Sequence, residues 1–198
     1  MCAAVRKRAP RRLSLKLYLA DGIAVDPPRL VPLFHEWIRN GTVEGLLIDV
    51  ADYAHVHHGP ATMLIGHDAD HAVDLSEGRP GLVYTRKRPA PGDLEADVRE
   101  GLRRLLSAAR ALTLKADPHP SVRFRTDEIR LQALDRLEFP NRPDVLEALS
   151  AAARAALQGV FSGIALNLQD AAADRRQPAT LRIQAPGAPD LDALLARF

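Results

Sequence analysis

Five of the chain's seven histidines fall between Ile48 and Asp74: His55, His57, His58, His67 and His71. Five aspartates share the stretch: Asp49, Asp52, Asp68, Asp70 and Asp74. Imidazole and carboxylate are ligands that zinc, iron and manganese accept. His55-x-x-His58 offers two such ligands from one loop, and His67-x-x-Asp70-His71 offers more from the next turn. A divalent zinc, iron or manganese ion held by His55 and His58 is therefore a candidate cofactor. The same residue types suit proton transfer, because a histidine oriented by a carboxylate is a usable general base near neutral pH. Asp49, Asp52, His55 and His67 are the candidate catalytic residues. No serine or cysteine lies within the stretch as a nucleophile, and Tyr53 and Thr62 are its hydroxyls. A structural reading competes: Asp52 can bond the amides of its own loop, and Asp68 and Asp70 can form turns.

A second group, Tyr84, Arg86, Lys87 and Arg88, ends a strand-like run and can hold a carboxylate or phosphate. Tyr53, His58, Tyr84 and Arg86 are thus candidate ligand-binding residues. The chain has no glycine-rich phosphate loop and no dinucleotide fingerprint.

The elements that must position these residues follow from periodicity. Leu13, Leu15, Leu17 and Leu19 alternate with Ser14, Lys16 and Tyr18, which predicts a half-buried strand. Asp26-Pro27-Pro28 opens a helix whose face is Leu30, Leu33, Phe34, Trp37 and Ile38, and Asn40-Gly41 stops it. Strands are expected at 46–50, 62–65, 72–75 and 82–85, so that 46–86 reads as an antiparallel meander with loop 51–59 after its first strand. Leu94, Val98, Leu102, Leu105, Leu106, Ala109 and Leu112 step by three or four behind Asp93, the expected cap by residue type. The strand between the loop and the turn would hold them roughly 20 Å apart at about 3.3 Å per residue, so one site using both needs a subunit interface.

The second half replays the first. Strand character runs from Val122 to Leu134 with an irregularity near Asp127, Asn141 to Asp144 opens a helix, and strands follow at 164–168 and 180–183 before a terminal helix. Residues 45–65 align on 163–183 without a gap: Gly45 with Gly163, Asp52 with Asp170, and Pro60-Ala61-Thr62 with Pro178-Ala179-Thr180. Leu46, Ile48 and Val50 are expected on one face, as are Ile164, Leu166 and Leu168. The histidines are absent from the second loop, so a single site belongs to the first half. The fold expected is α+β: internally duplicated β-α-β-β units with antiparallel sheet and helices packed against it. Residues 1–12 form a flexible basic arm, 13–116 a first unit with the His/Asp block, and 121–198 a second, shorter unit that can share one sheet with the first.

The block Ile48 to Val56, Gly59-Pro60 and Leu64 to His67 resembles a family of uncharacterised bacterial proteins of similar length that carry the same IDVADYxHV, GP and LIGH elements. The resemblance covers residues 13–88 and implies no activity.

The 198 residues carry a net charge of +2, but five of the 27 basic residues and no acid lie in the first 12, leaving 22 basic against 25 acidic in the rest. A mildly acidic body argues against a dedicated nucleic-acid binder, except through the arm. Cys2 is the one cysteine, so no intramolecular disulfide marks an oxidising compartment. No apolar run reaches membrane-span length, and no signal peptide is evident. The expectation is a soluble cytoplasmic binding or scaffold module, a candidate homo-oligomer, whose loop 51–59 meets a protein or small-molecule partner. The alternative is a small metal- or histidine-dependent enzyme using the cluster of residues 49–71.

Overall fold

The computed structural model describes residues 9–23, 25–56, 59–88, 92–115 and 122–198. The chain runs through β1 (Leu13–Leu19), α1 (Pro27–Asn40), β2 (Leu47–Asp52), β3 (Pro60–Gly66), β4 (Ala69–Asp74), β5 (Gly81–Arg86), α2 (Leu94–Lys115), β6 (Phe124–Ala133), α3 (Pro143–Gln158), β7 (Asn167–Asp170), β8 (Ala179–Gln184) and α4 (Leu191–Leu195). The eight strands form one sheet in the order β2-β3-β4-β5-β1-β6-β8-β7. Every neighbouring pair is antiparallel. The protein is therefore α+β, and β1 against β6 joins the two halves of the chain into a single sheet.

The period-two pattern of β1 explains the layering. Its leucines face the helices and share a core with Leu30, Phe34 and Trp37 of α1, Val98, Leu102 and Leu105 of α2, and Leu149 and Ala153 of α3. Burying each such side chain is worth about 1.5–3 kcal/mol, and this drives the sheet and helices together. The alternate residues, Ser14 and Lys16, point away from that core yet are buried too. α1 carries Pro27 and Pro28 in its first turn, where the missing amides cost nothing, and ends at Gly41, whose left-handed φ of 59° lets its amide reach the Trp37 carbonyl. Asp26 precedes the helix without capping it and pairs with Arg29 at 3.1 Å instead. Asp93 does cap α2, accepting the Ala96 amide at 3.0 Å.

Three further local expectations are corrected. The register of β2 shifts between Leu47 and Asp49, so Leu47 and Val50 pack on the core while Leu46 and Ile48 are exposed. The bulge inserts a residue and breaks the alternation that would have put Leu46, Ile48 and Val50 on one face. Asp70 is no turn residue but lies buried in β4, where its carboxylate accepts the Gly66 amide at 3.1 Å and meets Lys87 at 2.7 Å. The expected opening of α3 at 141–144 is present, with the helix starting at Pro143 behind Arg142 while the Asn141 side chain donates to the Asp174 carbonyl. The basic arm ends earlier than residue 12: the carbonyls of Pro10 and Arg11 accept from Arg86, and that of Arg12 accepts from Leu134. The irregularity near Asp127 is present, because β6 shifts register against β1 between Leu17 and Leu19. The linker at 117–120 lies outside the described residues.

The halves share details at the aligned positions. Gly45 and Gly163 both take positive φ, at 118° and 82°. Asp52 accepts the Ala54 amide at 2.9 Å, and Asp170 accepts the Ala172 amide at 3.1 Å. Their hairpins differ by one residue in register, with Asp52 opposite Thr62 but Asp170 opposite Leu181. Leu64 consequently packs in the core, whereas Arg182, at its aligned position, reaches Glu128 on the other face.

Candidate functional site

The β2–β3 hairpin separates the sequence candidates. Asp52 pairs with Thr62 at one end, and Leu47 pairs with Gly66 at the other. Tyr53 and His55 lie just beyond the first end, with ring centroids 6.3 Å apart. His67 lies beyond the second, its amide bonded to the Leu46 carbonyl at 2.8 Å. With about 3.3 Å per residue along the strand, one chain cannot bring Asp52 or His55 to His67. His57 and His58 lie outside the described residues. Among the described residues, no group of three or more histidine, cysteine, aspartate or glutamate side chains is placed to hold a metal ion.

Asp49 and Asp52 are both occupied by backbone. Asp52 closes its own turn through the Ala54 amide, as its counterpart Asp170 does. Asp49 accepts the amide of Val50 at 2.8 Å. β2 is an edge strand, and the bond from the Tyr53 amide to the Ala61 carbonyl sets which of its residues bond to β3. By the alternation of an antiparallel pair, Val50 turns its amide outward, so Asp49 shields an open donor on the edge.

The other end of the hairpin opens onto a cleft of about 540 Å³. The β3–β4 turn supplies His67 and Asp68, β5 supplies Tyr84 and Arg86, and the first turns of α2 supply Asp97, Glu100 and Arg104. The structure thus brings together His67, Tyr84 and Arg86 of the sequence candidates. The approach of α2 depends on Gly101, where a Cβ would stand 2.8 Å from a Leu15 methyl and 3.5 Å from the Tyr84 ring. The Tyr84 ring is buried, and burial pushes its hydroxyl up to about 12, so the phenol stays protonated at neutral pH.

Arg86 does not present a free guanidinium to a ligand as expected. Its terminal nitrogens donate to the carbonyls of Pro10, Arg11 and Arg88 and to the Asp97 carboxylate, while Nε is buried without a partner. Burial raises the Asp97 carboxyl above its ordinary value, against the pull of Arg86. Lys87 is committed to the Gly66 carbonyl and Asp70. Arg104 bonds Glu100 at 2.7 Å and the Glu44 carbonyl at 3.1 Å. Beside Tyr84, directly opposite it on β4, sits His71, whose ring centroid is 5.4 Å from that of Tyr84. His71 is 3% exposed and its Nδ1 has no partner. Burial, and then the positive charge of Arg104, lowers it to about 4, so it is neutral and unavailable as a base in bulk water.

Sequence reasoning missed Glu44, Asp97, Glu100 and Arg104. The Glu100, Arg103, Arg104 spacing places these charges together on one helix face, but nothing local says which strand end that face meets. No helix among the described residues is long and apolar enough to cross a membrane. Comparison with family models, with curated proteins and with solved structures found no match for this chain.

Proposed function

We propose that the chain is a non-catalytic binding module that docks a second copy of itself through β2 and the loop after it. One observation carries this reading. Seven large apolar side chains are exposed among the described residues, and four of them, Leu46, Ile48, Tyr53 and Val56, lie between positions 46 and 56. Leu46 is 66% and Ile48 57% exposed. Scattered exposed apolar residues are ordinary, whereas a cluster on one edge marks an interaction surface. The bulge and the Asp49 shield discourage simple strand addition, so docking goes through these side chains. A two-fold pair lets each apolar cluster meet its own copy.

The test is the oligomeric state of the wild type and of Ile48→Lys over a concentration series, by sedimentation velocity. A concentration-dependent wild-type dimer, lost in Ile48→Lys with the thermal midpoint unchanged, supports the reading. A wild type that stays monomeric throughout ends it.

The alternative enzyme would pair His55 or His67 with Asp49 or Asp52, and within one chain the hairpin holds Asp52 and His55 at one end and His67 at the other, with Asp49 opposite Ile65 and committed to the Val50 amide. The matching Gly45 and Gly163 bends and the Asp52 and Asp170 turns support descent of both halves from one β-α-β-β unit, the second loop lacking the histidines.

A further inference from the structure

The cleft between the β3–β4 turn and α2 adjoins the apolar edge, with which it shares Leu46, but differs from it in carrying polar groups. We propose that it binds a small uncharged molecule bearing a carbonyl or amide oxygen, which accepts a hydrogen bond from Tyr84 while its apolar part lies against Leu46, Leu47 and Ala96.

Size, donors and charge each contribute. About 540 Å³ falls in the range of small-molecule sites. The Tyr84 hydroxyl lines the cleft and has no hydrogen-bond partner among the described residues, and it is not among the buried unpartnered atoms, so an incoming oxygen can reach it. Two residues along β5, the Arg86 Nε–H also lacks an acceptor, but it is buried and closed to a ligand, so Tyr84 is the donor of the cleft.

The charges select against ions. Four carboxylates and three guanidiniums line the cleft. Each guanidinium already faces a carboxylate: Arg86 faces Asp97, Arg104 faces Glu100 at 2.7 Å and Glu44 at 3.4 Å, and Arg88 lies 4.0 Å from Asp68. Among the described residues the partly buried cations Arg86 and Arg104 are already matched to carboxylates, so an anion or an ammonium finds only the exposed, loosely paired Arg88 and Asp68 and recovers little of the hydration it loses. A neutral acceptor escapes that loss.

Three matched probes test this on the full chain: benzamide, benzoate and benzylammonium, titrated while backbone amide resonances are followed. Benzamide is expected to bind saturably, moving the amides of Ala96 and Gly101. Tyr84→Phe keeps the ring and should weaken benzamide about fivefold, the worth of one neutral hydrogen bond. Ala96→Leu, at an exposed position of α2, should block the cleft and abolish saturation with the thermal midpoint unchanged. The proposal is overturned if benzoate or benzylammonium binds more tightly than benzamide. It is equally overturned if benzamide does not saturate, or binds both variants as it binds the wild type.

Discussion

Lys16 on β1 meets Asp74 on β4 at 2.7 Å, on the face of the sheet opposite the hydrophobic core, with the lysine 0% exposed. Burial works against the Asp74 charge, but hydrogen bonds from Lys16 and Ser76 outweigh it and hold the carboxyl below its ordinary value. Arg130 stands 3.8 Å from the same carboxylate. Removing one partner strands the other charge in a buried site, at a cost of about 3–5 kcal/mol. Lys16→Met and Asp74→Asn should each lose about that much in urea unfolding, and the double variant should lose clearly less than their sum.

Stability should fall between pH 6.5 and pH 4 because of His71. Its ordinary value of 6.5 applies to the unfolded chain, while burial lowers the folded value to about 4. In that window the unfolded state binds the proton and the folded state does not, so stability is complete above pH 6.5 and is lost as pH falls toward 4. The loss attributable to this residue is about 3 kcal/mol. His71→Phe removes the titration, and the difference between the two denaturation curves across this range should shrink accordingly.

Asp49→Ala should leave the stability of the monomer nearly unchanged, by less than about 1 kcal/mol, because the Val50 amide it uncovers is exposed to water. The effect should appear between molecules. An edge strand with an open donor and exposed Leu46 and Ile48 is a template for pairing, so light scattering on heating should rise earlier than in the wild type.

Gly66→Ala should disturb the turn that carries His67. A Cβ there would lie 2.3 Å from the Ala69 carbonyl oxygen and 3.3 Å from that of Leu46, both backbone atoms with no rotamer to yield. Forcing them apart should cost about 1–3 kcal/mol in chemical denaturation. The His67 and Asp68 amide resonances should shift more than those at the Asp52 end of the hairpin.

Arg86 ties the segment before β1 to β5 through the carbonyls of Pro10 and Arg11. Arg86→Lys keeps the charge but cannot reach several carbonyls and Asp97 at once. Limited proteolysis should then cut nearer Arg11 and Arg12 at protease concentrations that leave the wild type whole.

Much of the architecture was legible in residue order. The alternating leucines of β1, the three-and-four spacing of α2 and the proline and glycine punctuation of α1 are local signals, and each became the expected element, except that β1 is buried on both faces rather than one. The placement of Asp52 in its own turn was readable too, since an aspartate bonding an amide two residues on needs no distant partner. The separation of loop 51–59 from the β3–β4 turn followed from strand length alone.

What tertiary structure decided were the pairings with no local signature. Whether Lys16 is solvated or buried depends on Asp74, 58 residues away. Whether Arg86 is a ligand contact or an internal strut depends on where the segment at Pro10 and the start of α2 arrive. The bulge in β2 turned Leu46 and Ile48 outward against a period-two pattern that looked sound, because register is settled by the partner strand. Periodicity determines which face of an element is apolar, and only the packed chain determines which charges, hydroxyls and imidazoles are then left facing one another.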